Sequence, residues 1–155
     1  MNPKFSTQPD IRQATADHFP HLAQLWLEAS LSAHSFIESA YWTANKQAME
    51  SQYLPSSEVH ICVHNDSVVG FIAMVDNYLA ALFIDPSRQG SGYGKLLLNY
   101  AKSNRDVITL NVFARNENAI AFYRKQGFSI RSEQIDEPTD ELEYVMTWQR
   151  SEPSF

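Results

Sequence analysis

Apolar and polar positions along the 155-residue chain change their period several times, and each change marks an element. Ile11-Arg12-Gln13-Ala14 reads as a short strand, after which Thr15 or Asp17 offers a side-chain oxygen to the first free amides of a helix. Leu22, Leu25, Trp26 and Ala29 then recur at spacings of three and four, which makes one apolar helix face. A second helix is predicted over Glu38 to Tyr53, where Tyr41, Met49 and Tyr53 repeat at multiples of four and Pro55 stops the run. Glu58 to His64 alternates, Asn65-Asp66-Ser67 is turn material and Val68 to Val75 resumes as a strand, so the pair reads as a hairpin.

Leu79 to Ile84 is apolar on both faces, the pattern of a strand buried at the middle of a sheet. Gly92 to Asn104 is predicted helical, Val107 to Phe113 a strand, and Asn116 to Gln126 a helix that Gly127 ends. Phe128 to Ser132 and Leu142 to Trp148 close the series as strands. This order predicts a mixed α/β fold, one sheet flanked by helices. Residues 1–150 form a single domain in this reading, and Ser151 to Phe155 is a loose tail.

Composition narrows the function. Twelve basic against 18 acidic residues leave a net charge of -6, which repels a nucleic-acid backbone. One cysteine, Cys62, excludes an internal disulfide, and its place in an alternating run makes it a packed strand thiol. No apolar run approaches the roughly 20 residues that span a bilayer, and Met1 to Asp10 lacks the apolar stretch of a signal peptide. The expectation is a cytoplasmic protein with no membrane partner. His18, His21, His60 and His64 lack metal-ligand spacing, so no metal is expected.

The candidate chemistry begins after the buried strand, at Asp85-Pro86-Ser87-Arg88-Gln89-Gly90-Ser91-Gly92-Tyr93-Gly94-Lys95. A glycine loop that opens a helix points its amides inward at the positive end of the helix dipole, which suits a phosphate or pyrophosphate. Leu96 stands where a nucleotide P-loop needs Ser or Thr, and Gln89 where it needs its first Gly. A dinucleotide pattern beginning at Gly90 would end on Lys95, which has a side chain where helix and strand pack closely.

Gln89-x-x-Gly92-x-Gly94 resembles the acyl-CoA pyrophosphate loop of the GNAT superfamily of acetyltransferases. The run Asn116 to Phe128, N-x-x-A-x-x-F-Y-x-x-x-G-F, is similar to the helix and strand that follow that loop in the family. The likeness covers nearly the whole chain and implies a central, mostly antiparallel twisted sheet of about seven strands with about four helices. It implies acetyl-CoA as cosubstrate and direct attack by a primary amine in a ternary complex.

On the same resemblance, Gly90, Ser91, Gly92, Tyr93, Gly94 and Lys95 hold the pyrophosphate and Gln89 lines the loop. The backbone of Leu82, Phe83 and Ile84 pairs with the pantetheine arm, one amide facing the thioester oxygen. Asn116 and Asn118 touch the cofactor, and Tyr123 points at its sulfur as proton donor to the departing thiolate. Several family members carry a glutamate near the start of the central strand, where this chain has Ala80 and Ala81. The base is therefore open among Asp76, His34 and a water held by Asn111. His34, Phe36 and Tyr41 are expected to border the acceptor amine.

The acceptor is a small-molecule amine, a protein lysine or an N-terminal amine, and the chain is a monomer or homodimer. A non-catalytic acyl-CoA-binding module is the competing reading; it needs the glycine loop but not Tyr123 or an open acceptor groove.

Overall fold

A computed structural model describes residues 8–151; residues 152–155 of the expected tail lie outside the described residues. The strands are β1 (Asp10–Gln13), β2 (Glu58–His64), β3 (Ser67–Val75), β4 (Tyr78–Ile84), β5 (Val107–Phe113), β6 (Ser129–Asp136) and β7 (Glu141–Gln149). The α-helices are α1 (Phe19–Ala33), α2 (Ser39–Ala48), α3 (Tyr93–Lys102) and α4 (Glu117–Lys125). One sheet holds all seven strands in the order β1-β2-β3-β4-β5-β7-β6, and only β4 and β5 run parallel. The mixed α/β expectation with a mostly antiparallel sheet is met.

Strand alternation divides the core between the two faces. On one face Val59, Ile61, Phe71 and Ala73 pack beneath Leu22, Leu25 and Trp26 of α1 and Trp42 of α2. On the other, Cys62, Ile72, Met74, Ile108, Leu110 and Met146 pack against Leu97, Leu98 and Ala101 of α3 and Tyr123 of α4. The sheet is covered on both sides, which explains why β4 is apolar throughout. Asn65 and Asp66, both with positive φ, form the two-residue loop that joins β2 to β3.

The second helix is shorter than its periodicity suggests. Regular α2 ends at Ala48, and Met49–Tyr53 widens into a π-helical turn closed by the Leu54 N–H on the Met49 carbonyl at 3.0 Å. Met49 and Leu54 are buried there, so the wider turn places both in the core before Pro55 stops the chain. Strand β6 extends four residues beyond Ser132, to Asp136. That extension brings Asp136 and the facing Glu141–Glu143 segment of β7 to the site end of the sheet.

Candidate active site

The loop after β4 is shaped by a few local bonds. Asp85 Oδ1 accepts from the Ser87 amide at 3.0 Å and from the Ser87 hydroxyl at 2.8 Å, setting a single tight turn at Pro86–Arg88. Gly90 (φ 85°) and Gly92 (φ 82°) then adopt the left-handed backbone, and Gly92 caps α3. The Leu96 N–H is bonded back to the Gly92 carbonyl at 3.1 Å, so the preceding N–H groups of Tyr93, Gly94 and Lys95 belong to the unsatisfied first turn. A Cβ on Gly90 or Gly92 would meet nothing within 4 Å, so free space lies directly over these amides. Arg88, Gln89 and Lys95 border it. Free amides at a helix start with two cations beside them make a cradle that suits an anion.

Not every loop residue plays the same part. Gly94 packs against the Phe122 ring, which a Cβ would approach to 3.3 Å, so it sets the α3 to α4 distance as well as offering an amide. The Tyr93 ring is in the core with its hydroxyl 2.6 Å from His64 Nδ1. What Tyr93 offers the cradle is therefore its backbone. Ser91 is exposed and does not line the groove.

The splay between β4 and β5 extends the cradle into a groove of about 1010 Å³. Among the described residues the two strands share one bridge, Tyr78 with Thr109, whereas β3 and β4 pair as far as Gly70 with Ile84. Ala80 is the extra residue of a β-bulge opposite Ala73 and Met74. The Asp85 N–H donates to the Val69 carbonyl at 2.8 Å, and the Phe83 carbonyl faces Gly70, so Phe83 spends its backbone groups on β3. Backbone direction alternates along a strand, so Leu82 and Ile84 turn theirs into the gap. Of the three residues expected to pair with the pantetheine arm, Leu82 and Ile84 present a free edge. Phe83 contributes its side chain to the wall.

Helix α4 supplies the opposite wall. Asn116 caps it, its Oδ1 accepting from the Ala119 N–H at 3.2 Å, and Asn118 and Ala119 line the groove. Tyr123, one turn on, is 8% exposed with its ring edge-on to Phe122 and Phe128. Its hydroxyl has no hydrogen-bond partner among the described residues, and the residue lines the groove. Burial raises its pKa far above the ordinary phenol value, so the hydroxyl keeps its proton through the physiological range.

His34 sits deeper than a surface histidine. Its ring stacks on Trp42 at 5.0 Å and meets Phe36 and Phe113 edge-on. The Asn116 amide is fixed by its capping bond, so Nδ2 donates to His34 Nε2 at 3.1 Å and the ring proton lies on Nδ1, which is buried without a partner. Burial lowers the His34 pKa to about 4. A ring this weakly basic, with its lone pair already engaged, does not suit the role of base and instead positions Asn116.

That depressed pKa has a sign. Between about pH 6.5 and 4 the unfolded chain binds a proton at His34 that the folded chain refuses, so folding stability falls as pH drops through this window, by at most about 3 kcal/mol. Urea denaturation at pH 7 and pH 4 should show this loss, and His34→Gln should flatten it. An equal slope in the variant would place the acid sensitivity elsewhere.

Two other expected residues stand outside the groove. Asp76 occupies the β3–β4 turn with φ 53°, lining a separate polar hollow with Glu58, Asn104 and Arg105, and its carbonyl accepts from Arg105 Nε at 2.9 Å. As a base it is misplaced. Phe36 lies behind the wall, edge-on to His34 and Phe113 and under the Arg115 guanidinium, so it supports the groove without lining it. Tyr41 and Asn111 do line it.

Sequence reasoning missed the far end of the groove, where Tyr53, Tyr78, Asp136 and Glu143 join Tyr41. Burial chiefly, helped by the negative charges of Asp136 and Glu143, pushes the Tyr41 phenol up; burial and Glu143 do the same at Tyr78. The groove is thus polarised, with Arg88 and Lys95 at the glycine loop and two carboxylates at the other end. Among the described residues no group of three or more His, Cys, Asp or Glu side chains is placed to hold a metal ion. No helix there is long and apolar enough to cross a membrane.

Comparison with known proteins agrees with this geometry. The family described as "Acetyltransferase (GNAT) domain" matches residues 55–130. The peptidyl-lysine N-acetyltransferase YiaC of Escherichia coli is 30% identical over 139 residues, covering 89% of this chain and 95% of YiaC. The peptidyl-lysine N-acetyltransferase YjaB of Escherichia coli is 33% identical over 129 residues, covering 81% of this chain and 87% of YjaB. The solution structure of apo YjaB superposes with a TM-score of 0.82 at 27% identity, covering 93% of this chain and 99% of that one. The PaiA N-acetyltransferase of Thermoplasma acidophilum, solved with coenzyme A, shares the fold with a TM-score of 0.76 at 18% identity, over 92% of this chain and 99% of PaiA. These matches, to a family and to relatives at 30% and 33% identity over most of the chain, identify it as a member of the GNAT family of acetyltransferases.

Proposed function

We propose that the protein transfers the acetyl group of acetyl-CoA to the ε-amine of a lysine in a peptide or protein, by direct attack within a ternary complex. The observation that carries this reading is the unpartnered hydroxyl of the buried residue Tyr123, placed in one groove between a loop of free amides and a pair of carboxylates. The loop suits a pyrophosphate, and the free edge at Leu82 and Ile84 suits the amide groups of a pantetheine arm. The carboxylate end suits a cation. YiaC and YjaB, named for peptidyl-lysine acetylation, support lysine as the acceptor, and PaiA, solved with coenzyme A, supports the cosubstrate.

An N–H of the β4 edge polarises the thioester carbonyl, the neutral amine attacks its carbon, and the Tyr123 phenol donates to the sulfur as the C–S bond breaks. The test is thiol release from acetyl-CoA with a lysine peptide whose N-terminus is blocked. Release that depends on the peptide, with acetyl-lysine found by mass spectrometry, is the expected result. Binding of acetyl-CoA with no release from any amine would make the chain a sensing module instead.

A further inference from the structure

Glu143 is unusual among the charged residues of this fold. It lies on β7 opposite Phe113 of β5 and Gln134 of β6, and it is 9% exposed. Its Oε1 accepts from Gln134 Nε2 at 2.7 Å. Its other oxygen has no partner among the described residues, and no basic side chain there pairs with it. A largely buried carboxylate with one oxygen unpartnered and no countercharge is a natural partner for a cation. The groove reaches Glu143, so that cation can come from solution.

We propose that Glu143 receives the acceptor's ammonium group and takes the proton that must leave before attack. This rests on the lysine-acetyltransferase reading above and assigns the role that Asp76 and His34 cannot fill. An amine with a pKa near 10.4 arrives almost wholly protonated at neutral pH and has no lone pair to offer. Glu143 accepts one proton from nitrogen and passes it to solvent through the open end of the groove. The nitrogen then bonds to the thioester carbon, and the C–S bond breaks with its electron pair going to sulfur. Tyr123 protonates that sulfur and is itself reprotonated by the second proton from nitrogen. One amide, one thiol and one free proton result.

The groups around Glu143 fit this task. Tyr41 from α2, Tyr53 from the π-turn, Tyr78 from β4 and Asp136 from β6 share this end of the groove, and β5 contributes the uncharged Asn111 and Phe113. None of these neighbours is basic, and the nearby Arg115 guanidinium is already paired with Glu141 at 3.2 Å, so the local field favours an incoming cation. Three phenol rings around an ammonium also offer cation–π contact. Asp136 is held by Thr139, whose hydroxyl donates to Oδ2 at 2.6 Å, and it adds charge from the rim.

The experiment is Glu143→Gln in the full chain, which keeps an oxygen to accept the Gln134 bond and removes only the charge. At pH 7.5, kcat/KM for a blocked-N-terminus lysine peptide should fall about 10- to 50-fold, mostly through the peptide KM, with the acetyl-CoA KM within about twofold. The deficit should shrink as pH rises toward 10, because more amine then arrives already neutral. An unchanged kcat/KM, or a deficit constant with pH and shared equally by both substrates, would overturn the assignment. Should Glu143→Gln not fold, Glu143→Asp keeps the charge and should retain the wild-type pH profile at lower kcat/KM; a shifted profile would count against Glu143. If the wild type acetylates a polyamine but no lysine peptide, the lysine reading falls and the same comparison on the polyamine judges Glu143. A wild type that acetylates no amine overturns both.

Discussion

Replacing Gly92 with valine will remove the stabilisation that acetyl-CoA gives the native protein, while leaving the protein folded. Gly92 has φ 82°, a conformation that costs an L-residue about 1–2 kcal/mol, and more for a β-branched side chain. Because a Cβ there meets nothing within 4 Å, valine does not clash with the protein itself, and its modest strain is borne by one loop. The damage falls on the ligand. The side chain enters the space directly over the first-turn amides of α3, and relief of the strained φ rotates those amides away from their common focus. Affinity should fall by about 100-fold or more. A ligand at 100 times its Kd stabilises the wild type by about 2.7 kcal/mol, which is a readily measured rise in Tm, and in Gly92→Val that rise should vanish. Desulfo-CoA, which keeps the pyrophosphate and lacks the sulfur, should stabilise the wild type nearly as well as acetyl-CoA. A variant whose Tm still rises with acetyl-CoA would remove the pyrophosphate from this loop.

The elements that carry the cofactor side were legible because their signals are local. Gly90 and Gly92 sit between a strand and a helix start within one short segment, and the Asn116 to Phe128 run encodes its cap, its apolar face and its stop in consecutive residues. The β2–β3 hairpin was legible for the same reason, with Asn65 and Asp66 tolerating the left-handed backbone that a two-residue loop demands.

The carboxylate end of the groove was not legible, because distant segments build it. Glu143 falls on the alternating face of β7 that reads as solvent-facing, and it is enclosed by residues far off in sequence, such as Tyr41, about a hundred residues earlier, and Tyr78 on β4. His34 reads as a polar helix-end residue, yet Trp42, Phe36 and Phe113 close around it from three segments and strip its basicity. Asp76 failed in the opposite direction. Its nearness in sequence to the central strand suggested a catalytic place, but the turn points it to a different hollow. The net charge of -6 gave no hint that two cations and two carboxylates divide one groove between them.

Removing the Tyr123 hydroxyl should lower kcat by about 100-fold, the lower end of what a positioned proton donor contributes, without weakening acetyl-CoA binding. Phenylalanine keeps the edge-on contacts with Phe122 and Phe128, at 5.2 and 5.4 Å, so the packing of α4 survives the change. At first sight the raised pKa argues against a proton donor, since a thiol near 8.5 is the stronger acid in water. The comparison in water is the wrong one. Burial penalises the thiolate as it penalises the phenolate, because both are anions formed from neutral acids, so a sulfur leaving beside Tyr123 has its own pKa driven upward. The two stay close enough for the proton to move as the C–S bond breaks. Loss of such a donor acts on the transition state and not on ground-state binding, so the Tm rise with acetyl-CoA should match the wild type. The raised pKa also means that the alkaline side of the rate profile should show no loss of activity from phenol ionisation below about pH 10. Single-turnover measurement separates the chemical step from product release, where a slow release would mask the deficit. A variant with the wild-type single-turnover rate, or one whose lost activity tracks lost folding, would reduce Tyr123 to a core aromatic that happens to reach the groove.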